Sequence, residues 1–408
     1  GARALGRGGA ACALGHWAAT MSAPEELLTV LPPSWVLGIV AIAGIALLLF
    51  GLLAVLILTL KRRTAEIEAL EERLAEVEAT VGQAEAARDI ARVELDRLVG
   101  LADIAGEVWT RRPLAPPPDY AARLADSIPI LGLANLKGGV GKTTLSANLA
   151  AYFDARGERV LLIDLDYQGS LTGMALGGTT PPRAGGLSGA EQLLQGALPK
   201  ILPLVGARSN SGVIDAAYPL LNEENRILFR WLLGMTEDDV RYRLAKLLLE
   251  PRLQSLYDRV IIDSPPRVTL GLVNALCAAT HLLIPTQLNG LSTEAVENFL
   301  GTLDALRPHP LPPVQRYRIV GIQKTWSTER LSRAEIAAIA EIDRILESRG
   351  EARTLFYRDA VLPNMSGFQR AAGRGLAYQV EPSVRPEIDR LAARVADFAP
   401  SYAEPPED

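Results

Sequence analysis

Ten consecutive residues restrict this chain more than any others: Asn135-Leu136-Lys137-Gly138-Gly139-Val140-Gly141-Lys142-Thr143-Thr144, set between an apolar run at 128–134 and a helical pattern that begins at Thr143. A strand, a glycine turn and a helix in that order make a phosphate cradle. Glycine leaves no Cβ between the backbone N–H groups and an anion, and the new helix points its positive end at the same place. Lys142 then adds a mobile charge for β- and γ-phosphates, and Thr143 a hydroxyl for Mg²⁺. The whole run from Gly138 to Thr144 is therefore a candidate nucleotide-binding segment.

The ordinary form of such a loop, G-x-x-x-x-G-K-[ST], places its first glycine at position 136, which here is Leu136. Lys137 and a Gly-Gly pair stand in its place. The form K-G-G-x-G-K-T-T resembles the deviant Walker A loop of the ParA/MinD family of ATPases. That resemblance implies that Lys137 reaches the nucleotide phosphates across a dimer interface, and so an ATP-dependent homodimer. Two further segments resemble the same family in the same order along the chain. Asp164-Leu165-Asp166-Tyr167-Gln168-Gly169-Ser170 matches D-x-D-P-Q-G, with Tyr167 where proline is usual. Val260-Ile261-Ile262-Asp263-Ser264-Pro265-Pro266 matches the Walker B strand end.

Strand-terminal carboxylates lie where an α/β sheet presents ligand groups, and Asp263 suits Mg²⁺ through a water. The resemblance further implies that Asp166 orients the attacking water and that Asp164 supports the metal shell. Lys137, Lys142 and Asp166 are thus the expected catalytic residues, Thr143, Asp164 and Asp263 the metal site, and ATP with Mg²⁺ the ligands. Farther on, Leu362-Pro363-Asn364 with Phe368, Ala371 and Gly375 resembles the late family segment that approaches the base, and Gln323 follows the strand where adenine contacts arise. The resemblance covers roughly residues 128–400.

Apolar strands at 128–134, 159–166, 260–262, 282–285 and 318–322 alternate with helical patterns near 268–279, 291–306, 332–349 and 385–398. That alternation predicts an α/β fold, a mostly parallel sheet with helices on both faces. Residues 177–212, rich in Gly, Pro and Ser, read as a surface excursion. The two cysteines, Cys12 and Cys277, are too few and too far apart for a disulfide framework or a thiolate metal site. Cys277 reads as a small core residue, and the three histidines share no metal-ligand spacing.

Ahead of this domain, residues 1–34 read as a disordered tail in which 1–20 are either an added expression sequence or upstream translation, with Met21 a plausible start. Trp35 to Leu60 is an uncharged run of 26 residues; as a helix it measures about 39 Å against a hydrocarbon core of about 30 Å. It is long enough to be a transmembrane helix and too long for a signal-peptide core. Lys61, Arg62 and Arg63 follow it while Glu25 and Glu26 precede it, so the positive-inside rule places the rest of the chain in the cytoplasm of a bacterial inner membrane. Over 61–100, Ile67, Leu70, Leu74, Val77, Val81, Ala84, Ala91, Leu95 and Leu98 form an a/d seam, interrupted by Arg88 and weakened by Gly82. A parallel two-stranded coiled coil is expected there. Residues 101–127 read as a linker and 401–408 as a tail, so a fragment starting near Ala121 is expected to fold and bind ATP.

The leading reading is a membrane-anchored ParA-like ATPase whose dimerisation on ATP positions or partitions a cargo, with an unnamed cargo or activator protein as partner. A tyrosine kinase of the polysaccharide-export type shares such motifs, but this tail has one tyrosine, Tyr402, and there is no second apolar span. A non-catalytic ATP-dependent scaffold is the third reading; the intact Asp166 speaks against it. A net charge of −5 gives no support to DNA as a partner. Arg330, Arg333, Arg370 and Arg374 are the arginines that would have to carry it.

Overall fold

The computed structural model describes residues 32–103, 107–110, 126–179, 188–306, 316–322 and 331–401. The expected N-terminal tail up to residue 31, most of the linker, Gln323, Arg330 and the tail from residue 402 lie outside them. The chain divides into two compact units, 1–96 and 97–408.

The first unit is the greater part of one helix, α1, which runs unbroken over Pro33–Asp103 for 71 residues. Its apolar start makes Ser34–Asp96 long and apolar enough to cross a membrane by length and composition. The seam residues Ile67, Leu70, Leu74, Val77 and Val81 are each half or more exposed and form an apolar stripe along the helix. Gly82 costs about 1 kcal/mol relative to alanine in a helix interior, which is too little to break it.

The second unit is built on a sheet in the order β3-β4-β2-β5-β1-β6-β7. In chain order its elements are β1 (Ile130–Leu133), α2 (Lys142–Ala155), β2 (Val160–Asp164), α3 (Ser170–Ala175), α4 (Ala190–Leu194), β3 (Leu202–Pro203), β4 (Gly212–Ile214), α5 (Pro219–Leu232), α6 (Arg243–Leu248) and α7 (Pro251–Leu256). There follow β5 (Arg259–Asp263), α8 (Leu270–Ala278), β6 (His281–Gln287), α9 (Gly290–Leu306), β7 (Tyr317–Ile322), α10 (Arg333–Ser348), α11 (Ser366–Ala371), α12 (Ala377–Val380) and α13 (Arg385–Phe398). All strand pairs are parallel except β3 with β4.

The apolar runs are strands buried on both faces, and the period of two sorts their side chains into two cores. Ile130, Ile163, Ile262 and Ile284 enter one core with Trp231 of α5, Leu272 of α8, Phe299 of α9 and Ile342 of α10. Leu131, Leu162, Ile261 and Leu283 enter the other with Leu149 and Phe153 of α2 and Leu391 and Val395 of α13. The mostly parallel sheet with helices on both faces is therefore as expected. Cys277 is buried in the first core, where burial pushes its thiol pKa up.

Two parts of the fold differ from expectation. Residues 177–212 contain α4 and β3, and Leu193 and Leu194 are fully buried in the first core. Near the end of this stretch, the buried Asp154 carboxylate accepts from the N–H groups of Arg208 and Ser209 and from the hydroxyls of Ser209 and Ser211. The strands were missed because β3 and β4 have only two and three residues, too short to show a period.

The second difference is in the expected linker. A short 3-10 turn, Glu107–Thr110, belongs to the second unit, and Trp109 is buried in its first core. Its ring stacks on Trp231 with centroids 6.3 Å apart, and its carbonyl accepts from the fully buried Arg241 at 2.5 Å. The core of this unit therefore begins before the proline-rich stretch.

Candidate nucleotide site

β1 lies between β5 and β6, with β2 to β5 all on one side of it and β6 and β7 on the other. The loop after β1 thus stands at the switch point of the sheet, where open α/β folds bind ligands. Asn135 fixes the entry to this loop. Fully buried, it donates to Pro285 O of β6 at 2.9 Å and accepts from the Lys137 N–H at 3.0 Å.

Gly139 and Gly141 have φ of 73° and 88°, the left-handed region that favours glycine. A Cβ on Gly141 would stand 2.5 Å from Ile322 Cδ1, whereas one on Gly138 or Gly139 would meet nothing within 4 Å. The loop is thus closed against β7 and open on the side a phosphate would approach. Val140 is buried, and Thr144 O accepts from Asn148 of α2 at 2.7 Å. Lys142, also buried, curls back so that Nζ donates to Asn135 O and Lys137 O, both at 3.1 Å. Burial lowers its pKa, while Asp263 and Asp166 oppose that shift.

The two strand-end acids face each other in register, Asp164 beside Asp263, and both are fully buried. Asp263 accepts from Thr143 Oγ1 at 2.7 Å and from Ser146 Oγ at 3.3 Å. Burial pushes its carboxyl pKa well up, and the neighbouring Asp164 pushes it further. Burial raises the Asp164 pKa too, against hydrogen bonds that lower it. A hydroxyl backed by a buried carboxylate whose charge burial and a second acid disfavour is a donor set suited to Mg²⁺. Among the described residues no group of three or more His, Cys, Asp or Glu could hold a metal.

Asp164 itself is occupied differently from the expectation. Its oxygens accept from Thr172 N–H at 2.9 Å, Thr172 Oγ1 at 2.8 Å and Asp166 N–H at 3.1 Å, so it holds the loop that carries Asp166. Asp166 is half-buried and accepts from Gln168 N–H at 3.1 Å. Tyr167, in the place of the usual proline, packs edge-on against Tyr218 with centroids 6.2 Å apart and lies under the Arg267 guanidinium at 5.6 Å. Lys137 donates from Nζ to Ser292 Oγ at 2.9 Å. Pro363 follows Leu362, which bridges to Ile322 at the end of β7, and Ile322 lies against the phosphate loop. Arg370 and Arg374 both pair with Glu381, at 3.1 and 3.2 Å, and Arg333 is the first residue of α10.

The structure thus brings Lys137, Lys142, Thr143, Asp164, Asp166 and Asp263 to one end of the sheet. Sequence reasoning missed Asn135, Ser146, Gln287 and Ser292. Asn135, polar at the end of an apolar strand, was legible in principle; Gln287 and Ser292 lie about 150 residues from their partners in the loop and carry no local signal.

The sheet, the loop and the paired acids define a P-loop nucleotide-hydrolysing protein, and residues 128–313 match a family model described as an AAA domain. The chain is 34% identical over 217 residues to the chromosome partitioning protein ParA of Caulobacter vibrioides, covering 52% of this chain and 75% of that one. It is 36% identical over 195 residues to the chromosome-partitioning ATPase Soj of Thermus thermophilus, covering 48% and 68%. An ATP complex of McdA from Cyanothece shares the fold, with a TM-score of 0.54 at 20% identity over 68% of this chain and 98% of that one. This chain belongs to the ParA family and is an ATP hydrolase.

Proposed function

We propose that this chain is a membrane-anchored ParA-type ATPase in which two heads, the second unit of each copy, close on Mg–ATP to position a cargo. The observation that carries the reading is the Thr143–Asp263 bond at the N-terminus of α2, beside Lys142 and below the open face of Gly138 and Gly139. The α2 N–H groups and Lys142 bind the β- and γ-phosphates; Thr143 and Asp263 hold Mg²⁺, which when bound neutralises phosphate charge. Asp166 orients the water, Asp164 keeps Asp166 in place, and Lys137 of each copy reaches the other's nucleotide. Pro363 borders the base. The relatives, named as partition proteins, support positioning as the output.

The apolar start of α1, with Lys61, Arg62 and Arg63 after it, supports a single span with the heads in the cytoplasm. Recovery of the chain from washed bacterial membranes only with detergent tests the anchor. A pull-down from those extracts, with and without ATP, tests the cargo: a protein retained only with ATP is expected, and an identical profile in both removes ATP-dependent positioning.

Asp166→Ala is expected to leave ATP bound and slow hydrolysis about a hundredfold, the scale of a lost proton-positioning group. Equilibrium binding and phosphate release measured on one preparation check this, and unchanged turnover at saturating ATP assigns the role elsewhere.

The exposed seam of α1 supports a two-stranded coiled coil that raises the effective concentration of the heads toward the millimolar range, if the connection is short and flexible. A fragment starting at Lys61 is expected to sediment as a dimer without nucleotide, and one starting at Glu107 only with ATP and Mg²⁺. A monomeric longer fragment would make residues 61–100 a single helical spacer.

A further inference from the structure

Lys137 is the residue by which this loop departs from the ordinary form, and its acceptor is built into the fold. Ser292, in the first turn of α9, is fully buried. Its hydroxyl donates to Asn289 Oδ1 at 3.0 Å, and its own N–H donates to the same oxygen at 3.1 Å. With the hydroxyl proton committed to Asn289, the oxygen lone pairs are left for the Lys137 ammonium, 2.9 Å away. The same connection between β6 and α9 grips the phosphate loop a second time: Gln287 Nε2 donates to Gly139 O at 2.9 Å, and Asn289 Nδ2 supports the Gln287 carboxamide at 3.2 Å. Residues 287–292 therefore hold both the glycine turn and its distinguishing lysine.

We infer that Ser292 is a positioning residue that holds Lys137 within its own protomer and so opposes closure of the two heads. The inference rests on the proposed reach of Lys137 into the neighbouring copy. An ammonium bonded to a buried oxygen of its own α9 has to lengthen or release that bond as it moves toward a partner's phosphates. Head closure then starts from a state stabilised by one charge-assisted hydrogen bond, and removing the bond shifts the equilibrium toward the closed pair. A set of restraints at 287–292 of this kind makes closure depend on how much the phosphates offer Lys137, and favours a γ-phosphate with more charge over a diphosphate.

The test uses the full chain in detergent micelles, with dyes on the exposed face of α10, and reads energy transfer between heads as ATP is added with Mg²⁺. Ser292→Ala is expected to lower the ATP concentration at half-closure roughly ten- to hundredfold, the worth of one such bond. Ser292→Thr, which keeps the hydroxyl, is expected to close as the wild type does. In parallel, acylation by an amine-reactive ester without nucleotide is read by mass spectrometry. Lys137 is expected to label several times faster in Ser292→Ala, with Lys61, Lys200 and Lys246 unchanged. A half-closure point that stays or rises in Ser292→Ala, a threonine variant that behaves as alanine, or unchanged labelling of Lys137 would each overturn the inference. A wild-type chain whose heads never close with ATP would overturn the proposed closure as well.

Discussion

Lys142→Ala is expected to abolish measurable ATP binding. The cradle keeps the restraints set by the positive φ of Gly139 and Gly141 and by the Asn135 side chain, although the Asn135 and Lys137 carbonyls lose the Lys142 ammonium. What is lost is the ammonium whose charge interacts with the buried Asp263, the carboxylate that most opposes the burial-driven fall in its pKa. Each charge-assisted hydrogen bond to a phosphate oxygen contributes roughly 1.5–3 kcal/mol, so losing two weakens binding by at least about a hundredfold. The buried pair Asp164 and Asp263 would then face a polyphosphate with less compensating charge, which adds to the loss. Calorimetric titration of ATP into wild type and variant checks this, with a thermal melt to show that both are folded. Equal affinities would remove Lys142 from the site.

Trp109→Ala is expected to destabilise the nucleotide-binding unit by about 3–5 kcal/mol, the usual cost of truncating a buried tryptophan or phenylalanine. Trp109 fills a position against Trp231, and its carbonyl takes one of the donors of Arg241, whose others go to Asp239. A fragment starting at Ala121 loses the ring and the carbonyl together, leaving a guanidinium donor without its acceptor in a dry core. The expectation that such a fragment would behave well is thereby revised: it should melt roughly 10 °C or more below one starting at Glu107. Thermal denaturation of the two fragments side by side decides the matter. Coincident melting curves would mean that Trp109 contributes packing area but no stability.

The conflict over Trp109 shows how local reading failed. Residues 114–119 are Leu-Ala-Pro-Pro-Pro-Asp, a composition that signals extended chain, and nothing in the composition of the segment before it marks a boundary. A single tryptophan has no period, so nothing near it announced a partner 122 residues away in Trp231. Asp164 is a related case. The strand-end acid was legible, but that both its oxygens turn inward to Thr172 and Asp166 followed only from how α3 folds back over the end of β2.

What the sequence by itself determined is what contiguous residues can encode. The glycine turn, the run Gly138 to Thr144, the acids at the ends of β2 and β5, and the long apolar start of α1 each depend on neighbours within a few residues, where backbone conformation and the periods of strand and helix act directly. Only the tertiary structure decided which residues meet across the sheet: Thr143 with Asp263, Lys137 with Ser292, Gln287 with Gly139, Trp109 with Arg241. Those pairs are separated by 120 to 155 residues. They depend on the order of the strands, which puts β5 and β6 on either side of β1 and so brings distant loops to one end of the sheet. Strand order is fixed by burying two cores at once, a global requirement to which every strand contributes and which no single segment expresses.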